Sequence, residues 1–230
     1  MDNSNNSGAQ ARVALIEAAE KLFSQKGFSA VSTRELAEAA GVNLGAIQYY
    51  FGSKSALLVE ALRHLVGRDN GVRCLSALND KPSTPTEAAT NIVQFIHSFL
   101  ALLLRPSGPQ ACRLIFREIL GETSESTELC ETLVSATVSE FMEPLDAILR
   151  ECIRCIRPEL NEDSIELHVQ SIVGQCTYYM THGPFLIRLR GRNFADSPNF
   201  EMVVSHVASF SLRSLGLPSS DISEILALSS

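Results

Sequence analysis

Apolar residues recur along this chain with helical spacing, and no run alternates in the two-residue period of a half-buried strand. The pattern predicts an all-α protein. Residues 1–9 carry no apolar stripe and read as a disordered tail. Over about 10–26, Leu15, Ile16, Ala19, Leu22 and Phe23 share one face of a helix, and Gly27 suits the position just past its end. A capping box, Ser32-x-x-Glu35, opens a second helix that turns Leu36, Ala37 and Ala40 inward and stops at Gly41. A third follows a very tight turn, with Asn43 as its N-cap and Val42 and Ile47 placed as a hydrophobic staple. Ser53 caps a longer fourth helix running to about Leu78.

Beyond the loop "NDKPS", Thr84-Pro85-Thr86-Glu87 is a second capping box with proline at the first helical position. The helix it opens ends apolar all round, as a buried helix does. "RPSGP" breaks the chain before a helix over about 109–121, and another runs over about 126–156, kinked or divided by Pro144. The next covers about 162–182 and ends at "HGP". An Arg-rich connection (Arg188, Arg190, Arg192) leads to a helix over about 199–215, closed by Gly216, and a short one near 221–228 follows. No internal repeat is visible. The division that results is a tail over 1–9, a three-helix unit over 10–52 and a C-terminal helical unit over 53–230.

Composition narrows the class. The chain has 230 residues, 45% of them hydrophobic, enough to bury a substantial core. Apolar stretches such as Ile92–Leu104 are shorter than the ~18–20 residues a membrane span needs, so no membrane partner is expected. The polar start lacks a basic-then-apolar leader pattern. Six cysteines (74, 112, 130, 152, 155, 176) sit inside helical patterns, which fits a cytoplasmic protein with reduced thiols. Net charge is −7, yet residues 1–64 hold six Lys/Arg and six Asp/Glu, so the deficit lies beyond them. The span Lys21–Lys54 holds four basic residues against two acidic, which permits a DNA-facing surface there without establishing one.

Two short helices joined by "AAGVN" have the length and glycine placement of a helix-turn-helix. The wider stretch "ALIEAAEKLFSQKGFSAVSTRELAEAAGVNLGAIQYYFGSKSALLVEAL" closely resembles the DNA-binding domain of the TetR family of bacterial transcriptional regulators. The resemblance includes the Gly27-Phe28 corner, Ser32-Thr33-Arg34, Ala40-Gly41-Val42 and the Tyr-Phe-x-Ser-Lys ending. It implies that Arg34, Leu44, Gly45 and Gln48 face bases while Ser32, Thr33, Tyr49, Tyr50 and Lys54 hold phosphates. Gln can serve adenine N6/N7, Arg guanine O6/N7, and Leu44 a thymine methyl. Many relatives carry tyrosine at the position of Gln48 and a hydroxyl residue at that of Ala46, so base preference differs and one phosphate contact is missing.

A helical wheel checks this independently. Ile47, Phe51 and Tyr50 fall toward the first two helices; Gly45 and Tyr49 fall opposite, flanked by Ala46 and Gln48. Gly45 then permits close backbone approach to bases at a helix-propensity cost of ~1 kcal/mol. Plainer readings stand beside these roles: Ser32 as a cap alone, Tyr50 as core, and Gln48 or Arg34 as solvated side chains.

The resemblance also implies homodimerisation through the last two long helices. One face of the 162–182 helix carries Ile165, Val169, Ile172, Cys176 and Tyr179; a second carries Leu167, Ser171, Gly174 and Tyr178. With Val203, Val204, Val207, Phe210 and Leu215 they offer a double-sided surface, and Ile165, Val169, Ile172, Cys176, Val203, Val207 and Phe210 are the interface candidates. "FREILGETSE" and "SIVGQCTYYMTHG" look like the regulatory domain of the CecR-type subgroup, which implies a small apolar or aromatic effector. Phe95, His97, Phe99, Arg113, Phe116, Phe141, Gln175, Tyr178 and Tyr179 are the pocket candidates, with ordinary core packing as the alternative.

The function implied is a sequence-specific, DNA-binding regulator, a repressor that a small-molecule effector releases from operator DNA. An activator, or a thiol-responsive regulator using Cys152 and Cys155, is the alternative. Two thiols make half a zinc site, and no His-rich spacing completes one, so no metal or cofactor is expected. There is no Gly-rich phosphate loop or nucleophile elbow, and the five histidines are scattered, which argues against an enzyme.

Overall fold

The computed structural model describes residues 3–67, 81–104 and 126–229. In chain order its helices are α1 (Asn3–Lys26), α2 (Thr33–Ala40), α3 (Gly45–Phe51), α4 (Lys54–Gly67), α5 (Pro85–Leu104), α6 (Ser126–Thr137), α7 (Glu143–Ile156), α8 (Glu162–Arg190), α9 (Asn199–Ser214) and α10 (Ser219–Ser229). No strand occurs among the described residues, in agreement with the apolar spacing. The helix expected over 109–121 lies outside them, as do Arg113, Phe116 and the side chain of Phe141. The chain forms two compact units, one of residues Met1–Asp69 with Ser107–Glu140, the other of Asn70–Pro106 with Phe141–Ser230.

The first unit holds one apolar core. Leu15, Ala19 and Phe23 of α1 share it with Leu36 of α2, Ile47 of α3, Leu57, Leu58, Ala61 and Leu62 of α4, and Leu133 of α6. Each of the leucine, isoleucine and phenylalanine side chains contributes about 1.5–3 kcal/mol by leaving water. The division expected at 52/53 therefore falls too early. Among the described residues α1, α3 and α6 pack on α4 and cover its apolar stripe, so α4 belongs to this unit. α1 also begins at Asn3, where a disordered tail was expected. Packing of residues 15–23 nucleates the helix, and extending it by polar residues then costs little per residue. Polar links join α1 to α4: Arg12 pairs with Glu60, and the buried Glu20 lies 2.5 Å from His64 Nδ1.

In the second unit α5 is central, with Ala88, Ile92, Phe95, Ile96, Phe99, Leu100 and Leu103 buried as α7, α8, α9 and α10 pack on it. Its 20 residues include a window of mean hydropathy 1.3 and reach the length and apolarity of a membrane span, contrary to the sequence expectation. Half of the apolar window is buried by neighbouring helices, the setting of a core helix. At its start Ser83 donates from Oγ (2.6 Å) and N–H (2.8 Å) to Glu87, holding that carboxyl below its usual range. The 126–156 segment divides as Pro144 requires: a π-helical turn over Val138–Met142 precedes α7, and Pro144 sits in α7's first turn, where no N–H is needed.

α8 departs most from expectation. It opens with Asn161 Oδ1 accepting from Ser164 N–H (2.9 Å), continues through Pro184 and ends at Gly191 in the left-handed region (φ 65°). The Arg188 and Arg190 expected in a connection are its last turn, where cations complement the helix dipole. Proline removes one backbone donor, but the good helix formers after it carry the helix on. At the far end of α9, Arg157 Nη1 donates to the Leu215 carbonyl (3.1 Å), satisfying a helix-end acceptor.

Candidate nucleic-acid interface

The turn between α2 and α3 is set by local chemistry. Ser32 Oγ accepts from Glu35 N–H at 3.1 Å. The Glu35 carboxyl is held below its usual pKa, first by Lys26 (2.5 Å) and further by the Ser32 N–H, which completes the capping box. At the other end Gly41 takes φ 67°, and the Val42 N–H reaches back to the Ala37 carbonyl (3.0 Å). This is the Schellman closure that glycine permits. α3 follows within four residues. Leu44, already helical in φ and ψ, takes the cap position expected of Asn43 and forms no side-chain cap; the Asn43 carbonyl instead accepts from Ala46 N–H (3.1 Å).

α3 is pinned by Ala46 and Ile47, both buried, with Val42, Tyr50 and Phe51 half-buried beside them. Ala46 thus lies inward, not on the outer flank: a seven-residue helix docked at its first turn buries two adjacent positions. Leu44, Gly45, Gln48 and Tyr49 are left facing solvent, with Leu44 55% and Tyr49 81% exposed. Ser32, Thr33 and Arg34 are exposed at the start of α2. Arg34 Nε donates to Glu38 at 2.9 Å, an open i,i+4 pair that contributes about 0.3–0.5 kcal/mol and yields readily to a stronger anion.

Two of the expected phosphate residues are more tied down. Lys54 Nζ donates to the Phe28 carbonyl (2.6 Å) and stands 4.0 Å from that ring's centroid, so it also braces the Gly27-Phe28 corner. Tyr50 makes edge contacts with Tyr49 and Phe51 at 4.8 and 6.4 Å. Arg12, which the spacing did not single out, holds its guanidinium 5.3 Å from the Phe51 ring while pairing with Glu60. Its only sequence signal is its place one turn before Leu15 and Ile16.

Of the interface candidates in the second unit, Phe210 alone faces outward. Ile165, Val169, Ile172, Cys176, Val203 and Val207 are buried inside the subunit. Leu167 (63% exposed), Ser171, Gly174 and Tyr178 on α8 and Phe210 (56%) on α9 face outward. Periodicity finds two faces on a helix; the more apolar one goes to the core.

Six of the nine pocket candidates are described, and they stand in different settings. Phe95 and Phe99 are core, their rings 5.5 Å apart. His97 is exposed and meets Phe200 edge-on at 5.3 Å. Gln175 Nε2 donates to the Ser171 carbonyl of its own helix (3.2 Å). Tyr178 stacks on His182 at 4.4 Å, while Tyr179 packs against Phe194 at 5.4 Å with its hydroxyl pKa raised by burial.

No group of three or more metal-ligating side chains occurs among the described residues. Burial pushes the Cys152 and Cys176 thiols up to about 12. At pH 8 only about one Cys152 in ten thousand is then thiolate, the reactive form. Native protein is expected to leave Cys152 unmodified by iodoacetamide at pH 8 and to label it in urea, read by peptide mass spectrometry. Rapid labelling of Cys152 in the folded protein is the outcome that counts against this.

Comparison with known proteins agrees with the geometry. A family model described as bacterial regulatory proteins of the tetR family matches residues 15–61. The model of the C-terminal domain of the HTH-type transcriptional dual regulator CecR matches residues 88–216, more than half of the chain. The CecR regulator of Shigella flexneri is 26% identical over 85% of this chain and 87% of its own. The regulator YttP of Bacillus subtilis is 31% identical over 51% of this chain, a match spanning only about half (55%) of YttP. Among solved structures, FadR from Bacillus subtilis, crystallised with stearoyl-CoA, superposes with a TM-score of 0.57 at 20% identity over 86% of this chain and 96% of FadR. These relatives are transcriptional regulators rather than enzymes. The chain belongs to the TetR family of DNA-binding bacterial transcriptional regulators, with a C-terminal domain of the CecR type.

Proposed function

We propose that this protein is a homodimeric repressor that leaves its operator when a small apolar effector binds the second unit. One observation carries the reading: α3 is seated by Ala46 and Ile47 with Leu44, Gly45, Gln48 and Tyr49 outward, beside the exposed Ser32, Thr33 and Arg34. Leu44, Gly45, Gln48 and Arg34 are the base-side set, and Ser32, Thr33, Tyr49, Tyr50 and Lys54 the phosphate set. In this reading two copies pair through the exposed face of Leu167, Ser171, Gly174, Tyr178 and Phe210, and an operator read by such a pair has half-sites about 34–36 Å apart. The FadR structure, with its stearoyl-CoA, supports an acyl chain as one effector to test. The thiol-responsive alternative loses support, since the Cys152 thiol resists ionisation. An activator role keeps some, because the CecR relative is named a dual regulator.

The experiment is in vitro selection from a randomised duplex library, followed by anisotropy titration of the enriched duplex. Enrichment of an inverted repeat bound by two chains, and release on adding stearoyl-CoA or a small aromatic probe, are the expected results. Failure to enrich any sequence sinks the operator reading; enrichment with no release by any probe sinks the effector reading alone.

A further inference from the structure

The first turns of α1, the segment whose composition suggests a tail, lie against the end of α3. A Cβ built on Gly8 would stand 3.2 Å from the Tyr50 hydroxyl, closer than side chains normally pack. Four residues on, one helical turn along the same face, Arg12 lies over the Phe51 ring and pairs with Glu60. The Tyr50 ring is flanked by Tyr49 at 4.8 Å and Phe51 at 6.4 Å. Its ring is thus flanked by aromatic neighbours, and its hydroxyl lies against the α1 backbone at Gly8. Glycine inside a helix is disfavoured relative to alanine, so its presence at this spot calls for a compensating role. The missing Cβ leaves room for one atom, the Tyr50 oxygen.

We propose that Gly8 is a positioning residue for DNA binding: without a Cβ, it lets the α1 backbone define where the Tyr50 hydroxyl stands, and with it that hydroxyl's phosphate contact. The inference rests on the reading of Tyr50 as a phosphate-holding residue. Hydrogen bonds weaken steeply with distance and misalignment, so a displacement of a few tenths of an ångström at the hydroxyl is felt in affinity. Alanine at position 8 would force such a shift, and leucine would occupy the space outright. Both are better helix formers than glycine, so thermal stability is expected to hold or rise while DNA affinity falls.

The test is a double-mutant cycle on the full chain, read by anisotropy against the duplex that the unaltered protein enriches from a random library. Gly8→Leu is expected to weaken binding about tenfold, near the value of one charge-assisted hydrogen bond, with Gly8→Ala between it and the unaltered protein. Tyr50→Phe should weaken binding by a similar factor, and Gly8→Leu should then add nothing in the Tyr50→Phe background. If Tyr50→Phe binds like the unaltered protein, the phosphate role fails and takes the inference with it. If Tyr50→Phe weakens binding but Gly8→Leu does not, only the role of Gly8 fails. If the loss from Gly8→Leu persists in full beside Tyr50→Phe, the two act independently and the proposal is overturned.

Discussion

Gln48→Ala is expected to lose preference at one base position in each half-site while the protein stays folded. Gln48 is exposed on α3, so truncating its side chain changes stability by no more than about 0.5 kcal/mol. A bidentate amide–adenine contact contributes about 1–3 kcal/mol of discrimination, and a two-fold dimer makes it twice, so about 2–6 kcal/mol of operator preference is at stake. Loss confined to one base pair per half-site identifies a reading residue; equal weakening on every sequence would mark a backbone contact instead. The measurement is competition between the selected duplex and single-position variants of it. A Gln48→Ala chain that still discriminates at every position as the unaltered chain does would remove Gln48 from the base-reading set. Arg34, Leu44 and Gly45 would then carry it.

Phe95→Ala should destabilise the second unit by about 3–5 kcal/mol, the range for emptying a phenylalanine site in a packed core. Phe95 has no exposed surface, and its ring packs against Phe99 on the helix that α7, α8, α9 and α10 surround. The prediction separates two roles proposed for the same residue. A phenylalanine lining an open ligand cavity gives up little stability when truncated, because its ring has no close cover to lose. One that fills the core lowers the urea midpoint sharply whether or not an effector is present. A variant that unfolds at the unaltered midpoint yet no longer responds to an effector would restore Phe95 to the pocket.

What the residues revealed in advance follows the range of the forces involved. The Ser32 cap and the Gly41 closure act within a few positions of the chain, and each is legible as spacing. The allegiance of α4 is not. Its stripe of Leu57, Leu58, Ala61 and Leu62 promises burial without saying against what, and the answer comes from α1, more than thirty residues earlier. Both faces of α8 were legible, but not which of them the core takes, since Leu167 and Tyr178 are as apolar in composition as a core stripe. Pro184 was read as a stop because a local rule says so, and the helix on both sides of it outweighs that rule. The helical start at Asn3 had no local signal at all. Glycine and asparagine there argue for disorder, and the helix is propagated from packing further along.

The shared core of α1, α4 and α6 bears on how such regulators could exchange parts. A reader and a sensor joined like beads would be free to recombine at the join. Here a crossover after Gly52 would leave Leu15, Ala19 and Phe23 without Leu57, Leu58 and Leu62. A crossover after Gly67 keeps α4 but still loses Leu133, which lies within the stretch matched by the CecR-type domain model. A reader grafted onto a foreign sensor must therefore find in the new chain a helix able to refill the place of Leu133. Inheritance of the two parts as one block is the easier course, and Leu133 is the residue at which a chimera should be repaired first.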